Sequence, residues 1–164
     1  MKLNMTQGMR DPHAPTPPSG DSLTWSDARL LGFKAMDDSH EAFYQTVQHL
    51  LFCDGATAMQ ALDAFETHAR EHFGQEEEWM HSTGFPPREC HVQEHAAVLD
   101  SLQGVKTSVA QGQADIELVH EFAVFLFQWF PGHADYLDAA LAAWMSKCTY
   151  GGKPVVLRRR LPVG

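Results

Sequence analysis

"HFGQEEEWM", residues 72–80, poses the question on which the fold turns. Residues three or four apart share one face of an α-helix. His72 and Glu76 therefore point the same way, in line with Leu62, Phe65, Ala69 and Met80. An apolar stripe broken by an imidazole and a carboxylate is costly to bury unless the polar groups find partners. The segment is either a charged surface turn or a helix aiming two ligands at a metal. The rest of the chain decides between them by what it supplies at matching depth.

Working outward, the i, i+3, i+4, i+7 spacing of apolar residues predicts four amphipathic helices. The first runs from about Asp37 to Phe52, with His40, Tyr44, Val47 and Leu51 on one face. The second, from about Thr57 to His81, holds the opening motif and stops at Gly84, before Pro86 and Pro87. The third runs from about Arg88 to Ala110 with His91, His95, Val98, Leu102, Val105 and Val109 aligned. The fourth starts near Asp115 and aligns Val119, Phe122, Leu126, Trp129, His133, Leu137, Leu141 and Trp144. Strand-like alternation is absent. Short connections between long helices imply an all-α, up-down-up-down antiparallel four-helix bundle. Residues 1–22, with four prolines, read as a flexible leader. Residues 23–147 form the bundle with an N-terminal arm, which Leu23, Trp25, Leu30, Leu31 and Phe33 pack on the domain; residues 148–164 form a short C-terminal tail.

Polar residues interrupt the apolar stripe in every helix: His40; His72 and Glu76; His91 and His95; His133. They stand near the start of helix one, the end of two, the start of three and the later half of four. In an up-down bundle these places share one end, so the side chains converge on one layer. Asp138 joins them from five residues past His133, a turn of about 140° on a regular helix, and so must reach inward from the flank. Two pairs at H-x-x-x-H spacing, His68 with His72 and His91 with His95, carry little alone. Chance gives roughly 0.6 such pairs for ten histidines in 164 residues. Seven residues at one depth are a different matter. A core of five imidazoles and two carboxylates requires compensation, and a metal supplies it. His68 reads as lying outside the layer, Glu77 and Glu78 as solvated, and His13, His49, His81 and His120 as surface or cap residues.

Bulk properties narrow the remainder. A length of 164 residues suits one domain. A net charge of −9 argues against nucleic acid as partner, since phosphate binding needs clustered cations. The longest uncharged stretch is too short and interrupted to insert in a membrane. Three widely spaced cysteines and no apolar leader segment point to a cytoplasmic setting with reduced thiols. Ten histidines against three cysteines favour imidazole and carboxylate ligation.

The stretches "DDSH" ending at His40, "HFGQEEEWM" from His72, "HVQEH" from His91 and "WFPGHADYLD" containing His133 and Asp138 together resemble the hemerythrin family, most closely its bacterial single-domain members. The resemblance implies two non-haem iron ions with carboxylate and oxo or hydroxo bridges. His91, His95 and His133 would hold one, His40 and His72 the other, and Glu76 and Asp138 would bridge them. It implies dioxygen binding at the one open position, lined by Phe73, Phe130 and Ala134, and a role in oxygen carriage, storage or delivery rather than catalysis. The alternatives are a redox sensor, for which Arg158, Arg159 and Arg160 are the main support, a di-iron enzyme acting on peroxide or nitric oxide, and repair of iron centres. The pattern departs from the family at Phe130 and Ala134, where smaller and larger aliphatics are usual, and at Pro131. An alanine there opens space beside the site and predicts faster autoxidation. Phe130 pulls the other way if its ring folds over the iron.

Overall fold

A computed structural model describes residues 23–156; the leader at 1–22 and Arg158, Arg159 and Arg160 lie outside the described residues. The helices are α1 (Lys34–Phe52), α2 (Ala58–Ser82), α3 (Arg88–Ala110) and α4 (Ile116–His133). A π-helical turn (Ala134–Asp138) and α5 (Ala139–Tyr150) continue α4 as one rod. Each helix packs on its chain neighbours, and α1 closes against α4, so the rods form a four-helix bundle. Its core residues recur at helical spacing, as in Val98, Leu102 and Val105 on α3. No strand occurs among the described residues.

The ends have local causes. Gly84, at φ +65°, turns the chain out of α2, and Phe85 donates its N–H back to the Met80 carbonyl at 2.9 Å. This satisfies one of the helix's orphan carbonyls and buries Phe85. At the other end, α1 begins three residues before the expected Asp37. The Asp37 carboxylate instead accepts the N–H groups of Leu31 (2.7 Å) and Gly32 (3.0 Å), tying the arm to the first turn. Leu23 and Trp25 of that arm pack on the core. On α1, Leu50 is fully buried while the expected Leu51 is half-buried, one position round the helix. The C-terminal rod stays helical to Tyr150, past the expected start of the tail at 148. Beyond it the tail returns to the arm: a Cβ on Gly32 would meet the Pro154 Cβ at 2.9 Å.

The core divides in two. A large cluster from Phe43 and Phe65 through Phe122 and Phe130 fills most of the bundle. A smaller one, including Met36, Met80, Leu141 and Met145, closes one end. The polar layer lies between them. His40 falls between Met36 and Phe43, Glu76 between Phe73 and Met80, and Asp138 between Ala134 and Leu141.

Candidate metal centre

The structure brings all seven expected side chains together, none more than 3% exposed. They fall into two groups whose donor atoms lie within 4.8 Å of one another: Glu76, His91, His95, His133 and Asp138; and His40, His72, Glu76 and Asp138. Glu76 and Asp138 belong to both, and each divides its oxygens between them. Glu76 Oε2 lies 3.3 Å from both His91 Nε2 and His95 Nε2, whereas its Oε1 lies 3.0 Å from His72 Nε2 and 3.8 Å from His40 Nε2. Asp138 Oδ1 lies 2.9 Å from His91 Nε2 and 3.1 Å from His133 Nε2, and its Oδ2 lies 3.1 Å from His40 Nε2.

Asp138 reaches the layer by a route different from the expected one. Five residues on a regular α-helix would leave it on the flank of His133. The π turn closes i to i+5, with the Ala139 N–H donating to the Ala134 carbonyl, and brings residues five apart onto one ridge. Such turns are rare and often mark functional sites. Pro131 sits three residues before it, within α4, which continues through the proline.

Several contacts are short but are not hydrogen bonds. His40 Nε2, His91 Nε2, Glu76 Oε2 and both Asp138 oxygens are enclosed without a hydrogen-bond partner, despite neighbours near 3 Å. Their lone pairs converge on common points rather than on each other. Cis ligands about 2.1 Å from a six-coordinate ion stand about 3.0 Å apart, close to most of the spacings seen. His95 Nε2 and His133 Nε2 face each other at 3.2 Å. Their other nitrogens donate outward, His133 Nδ1 to Glu94 Oε2 at 2.7 Å and His95 Nδ1 to Glu77 Oε1 at 3.3 Å. Two neutral imidazoles held this way aim lone pairs at one another, which is repulsive until a cation lies between them. The donor set fits a metal, and imidazole with carboxylate suits several first-row ions, iron and zinc among them.

Glu77 is therefore not simply solvated, as its position on α2 suggests, and Glu94 is an addition. Both carboxylates fix which His nitrogen faces inward, the usual outer support of a metal-bound imidazole. The sequence signal was present, since each acid stands one residue from an expected ligand. We expect Glu94→Ala to bind metal still, but about 10–100-fold more weakly, as read by competition with a chelator; unchanged affinity would remove Glu94 from this role. His68 lies beside the layer, half-buried, its ring 5.5 Å from that of His72. His49 and His81 are exposed; His120 donates to the Cys53 carbonyl at 2.9 Å; His13 lies outside the described residues.

Aromatic rings wall the layer. Phe73 stacks on His95 at 4.0 Å and Trp129 on His133 at 4.4 Å. Phe130 stacks on Phe43 at 4.3 Å and meets His40 edge-on at 5.0 Å. Phe130 thus covers the two-histidine half, whereas Phe73 lies chiefly against the three-histidine half. Ala134 is buried at the start of the π turn.

A sequence model described as the Hemerythrin HHE cation binding domain matches residues 31–144. The chain belongs to the hemerythrin family. A bacteriohemerythrin of Ralstonia nicotianae (strain ATCC BAA-1114 / GMI1000) is 34% identical over 125 residues, covering 76% of this chain and 90% of that protein. A myohemerythrin of Theromyzon tessulatum is 23% identical over 100 residues, covering 61% and 80%. No solved structure gives a significant match. Both hemerythrin relatives align with most of their own length, so the likeness extends over the bundle.

Membership gives the electrostatics of this hemerythrin layer a meaning. Burial lowers the affinity of His40 and His91 for protons, but Asp138 and Glu76 outweigh it and raise both imidazoles from 6.5 to about 9. Burial opposes ionisation of Asp138 and Glu76, yet the surrounding histidines hold both carboxyls below their ordinary values. Protons on the imidazoles thus stand in for the cation in the metal-free chain, and metal must displace them. The raised imidazoles contribute stability that is full below pH 6.5 and lost as pH rises through 9. The lowered carboxyls contribute stability that is present above their ordinary values and lost on acidification. Burial, with the neighbouring imidazoles, pushes His68 down to about 4 and lowers His95 as well, so the fold loses stability as pH falls below 6.5. Metal-free protein should therefore be most stable near pH 6.5, and the gap between metal-loaded and metal-free melting temperatures should widen from pH 6.5 to 9. Melting curves of both forms across that range check this; a narrowing gap contradicts it.

Proposed function

We propose that the chain holds two iron ions in this layer and binds dioxygen reversibly at the ion held by two histidines, for oxygen carriage, storage or delivery rather than catalysis. The observation that carries this reading is the unequal division of donors around two shared carboxylates. His91, His95 and His133 would hold one ion, His40 and His72 the other, and Glu76 and Asp138 belong to both groups. The group with three histidines would offer its ion one more protein donor than the group with two. Bound iron would supply the electrons for dioxygen binding; the chain supplies everything that controls access to it.

Glu77 and Glu94 accept from the Nδ1–H groups of His95 and His133 and so hold the Nε2 atoms facing inward. On the side that they cover, Phe130 and Phe43 present only ring carbons to the two-histidine half and offer water no polar partner there. Imidazoles outnumber carboxylates five to two, which distinguishes the site from carboxylate-rich di-iron oxidases. Among the described residues no helix is long and apolar enough to cross a membrane, and Cys53, Cys90 and Cys148 are free thiols. A cytoplasmic setting fits that thiol state.

Anaerobic titration with ferrous iron tests the donor count and should saturate at two ions per chain; saturation at one overturns it. The wall is tested by the lifetime of the oxygen-dependent optical band. With Phe130 over His40, Ala134→Ile should change that lifetime by less than about twofold. Phe130→Ala should shorten it by about tenfold or more, the effect of losing roughly 1.4 kcal/mol of protection. A longer lifetime in Ala134→Ile would show that the alanine leaves the site open.

A further inference from the structure

One cavity, of about 120 Å³, reaches the layer from the side, between α1 and α2. Its lining grades from the exposed Ala35 and Gln75, past the half-buried Ser39, to the buried Met36, His72 and Glu76. It therefore joins the surface to the two-histidine half without crossing the Phe43–Phe130 wall. A water needs only about 10–15 Å³ of such space, together with polar partners. Ser39, Gln75 and Glu76, which carry a hydroxyl, an amide and a carboxylate, are among the lining residues.

A second observation points to an occupant. His72 is 3% exposed and turns Nε2 toward Glu76, while its Nδ1 is enclosed with no hydrogen-bond partner in the protein. Buried polar groups are rarely left so. The equivalent nitrogens of His95 and His133 have carboxylates. Those of His40 and His91 have none either, but of the three only His72 lines this cavity.

We propose that the cavity is a hydrated side port, in which water hydrogen-bonds to His72 Nδ1 and through which small polar molecules reach the two-histidine half. The inference rests on the di-iron reading of that half for its kinetic consequence, though the bound water does not depend on it. The aromatic wall suits an apolar gas, and the port suits water, peroxide and small anions. Any small anion or peroxide that shortens the life of the oxygenated form would use this route.

A port sets rates, because a molecule crosses the same barrier entering and leaving. Narrowing it slows association and dissociation together and leaves their ratio intact. Azide, a small anion with an optical signature on ferric iron, is the probe, used on oxidised, iron-loaded protein. Ser39→Leu should slow both azide rates about tenfold, with Kd within about twofold of the parent. Ala35→Leu, at the exposed rim, should slow both in the same sense and covers the event that Ser39→Leu fails to fold. Parent rates in the folded variants would overturn the port, as would a changed Kd with an unchanged association rate, which marks an altered site. A high-resolution crystal structure of the metal-free chain should show water within hydrogen-bond distance of His72 Nδ1; a dry cavity overturns the proposal. Failure of the di-iron reading registers separately, as fewer than two irons per chain in the parent.

Discussion

Glu76→Ala should leave the chain with one metal ion or none, against two in the parent. Glu76 is 1% exposed and its two oxygens face different histidine groups, Oε2 toward His91 and His95 and Oε1 toward His72 and His40. Truncation removes one donor from each group at once and leaves Asp138 as the one side chain that the two groups share. Nothing replaces the lost negative charge, so the histidines that depended on it lose their counter-charge as well. Glu78→Ala and His68→Ala should keep both ions, because neither side chain belongs to the layer. Metal analysis of the purified variants decides it. A Glu76→Ala chain that still holds two ions would mean that Asp138 bridges unaided, and an empty site in His68→Ala would mean that the α2 register has been misread.

Stripping the metal should lower the melting temperature by about 8–16 °C at neutral pH. Metal at about a thousand times its dissociation constant adds about 4 kcal/mol to the folded state, and in a chain of this size each kcal/mol moves the midpoint by about 2–4 °C. The metal-free core must keep seven ionisable side chains buried between two apolar clusters. Protons on His40 and His91 offset part of that cost, which is why the chain should still fold without metal. Differential scanning calorimetry before and after chelation measures the effect. Equal midpoints would separate site from fold and contradict the link between them.

The helices were legible because their apolar residues repeat at helical spacing over four or more turns, and the layer because histidines interrupt each stripe at one depth. What escaped has local causes. A π turn leaves no mark in a periodic pattern, so Asp138 looked like a flank residue when the structure has it on the ridge of His133. Glu94 is exposed on one edge and lies next to His95 in sequence, yet it serves His133 across the α3–α4 contact; only the packing of two helices reveals the pairing. Glu77 was misassigned for the same reason, since rotation about α2 does not disclose a partner on α3. The start of α1 was missed because Asp37, which reads as an N-terminal signal, is used to hold the arm.

The central claim is that two irons with unequal donor sets leave one position open to dioxygen. The direct measurement is the visible spectrum of iron-loaded, reduced protein through repeated exposure to dioxygen and argon, with iron counted in the same sample. Two irons per chain and an absorption band that appears with dioxygen and disappears with argon over several cycles are the predicted result. A single iron, or a band that forms once and does not reverse, would contradict the account.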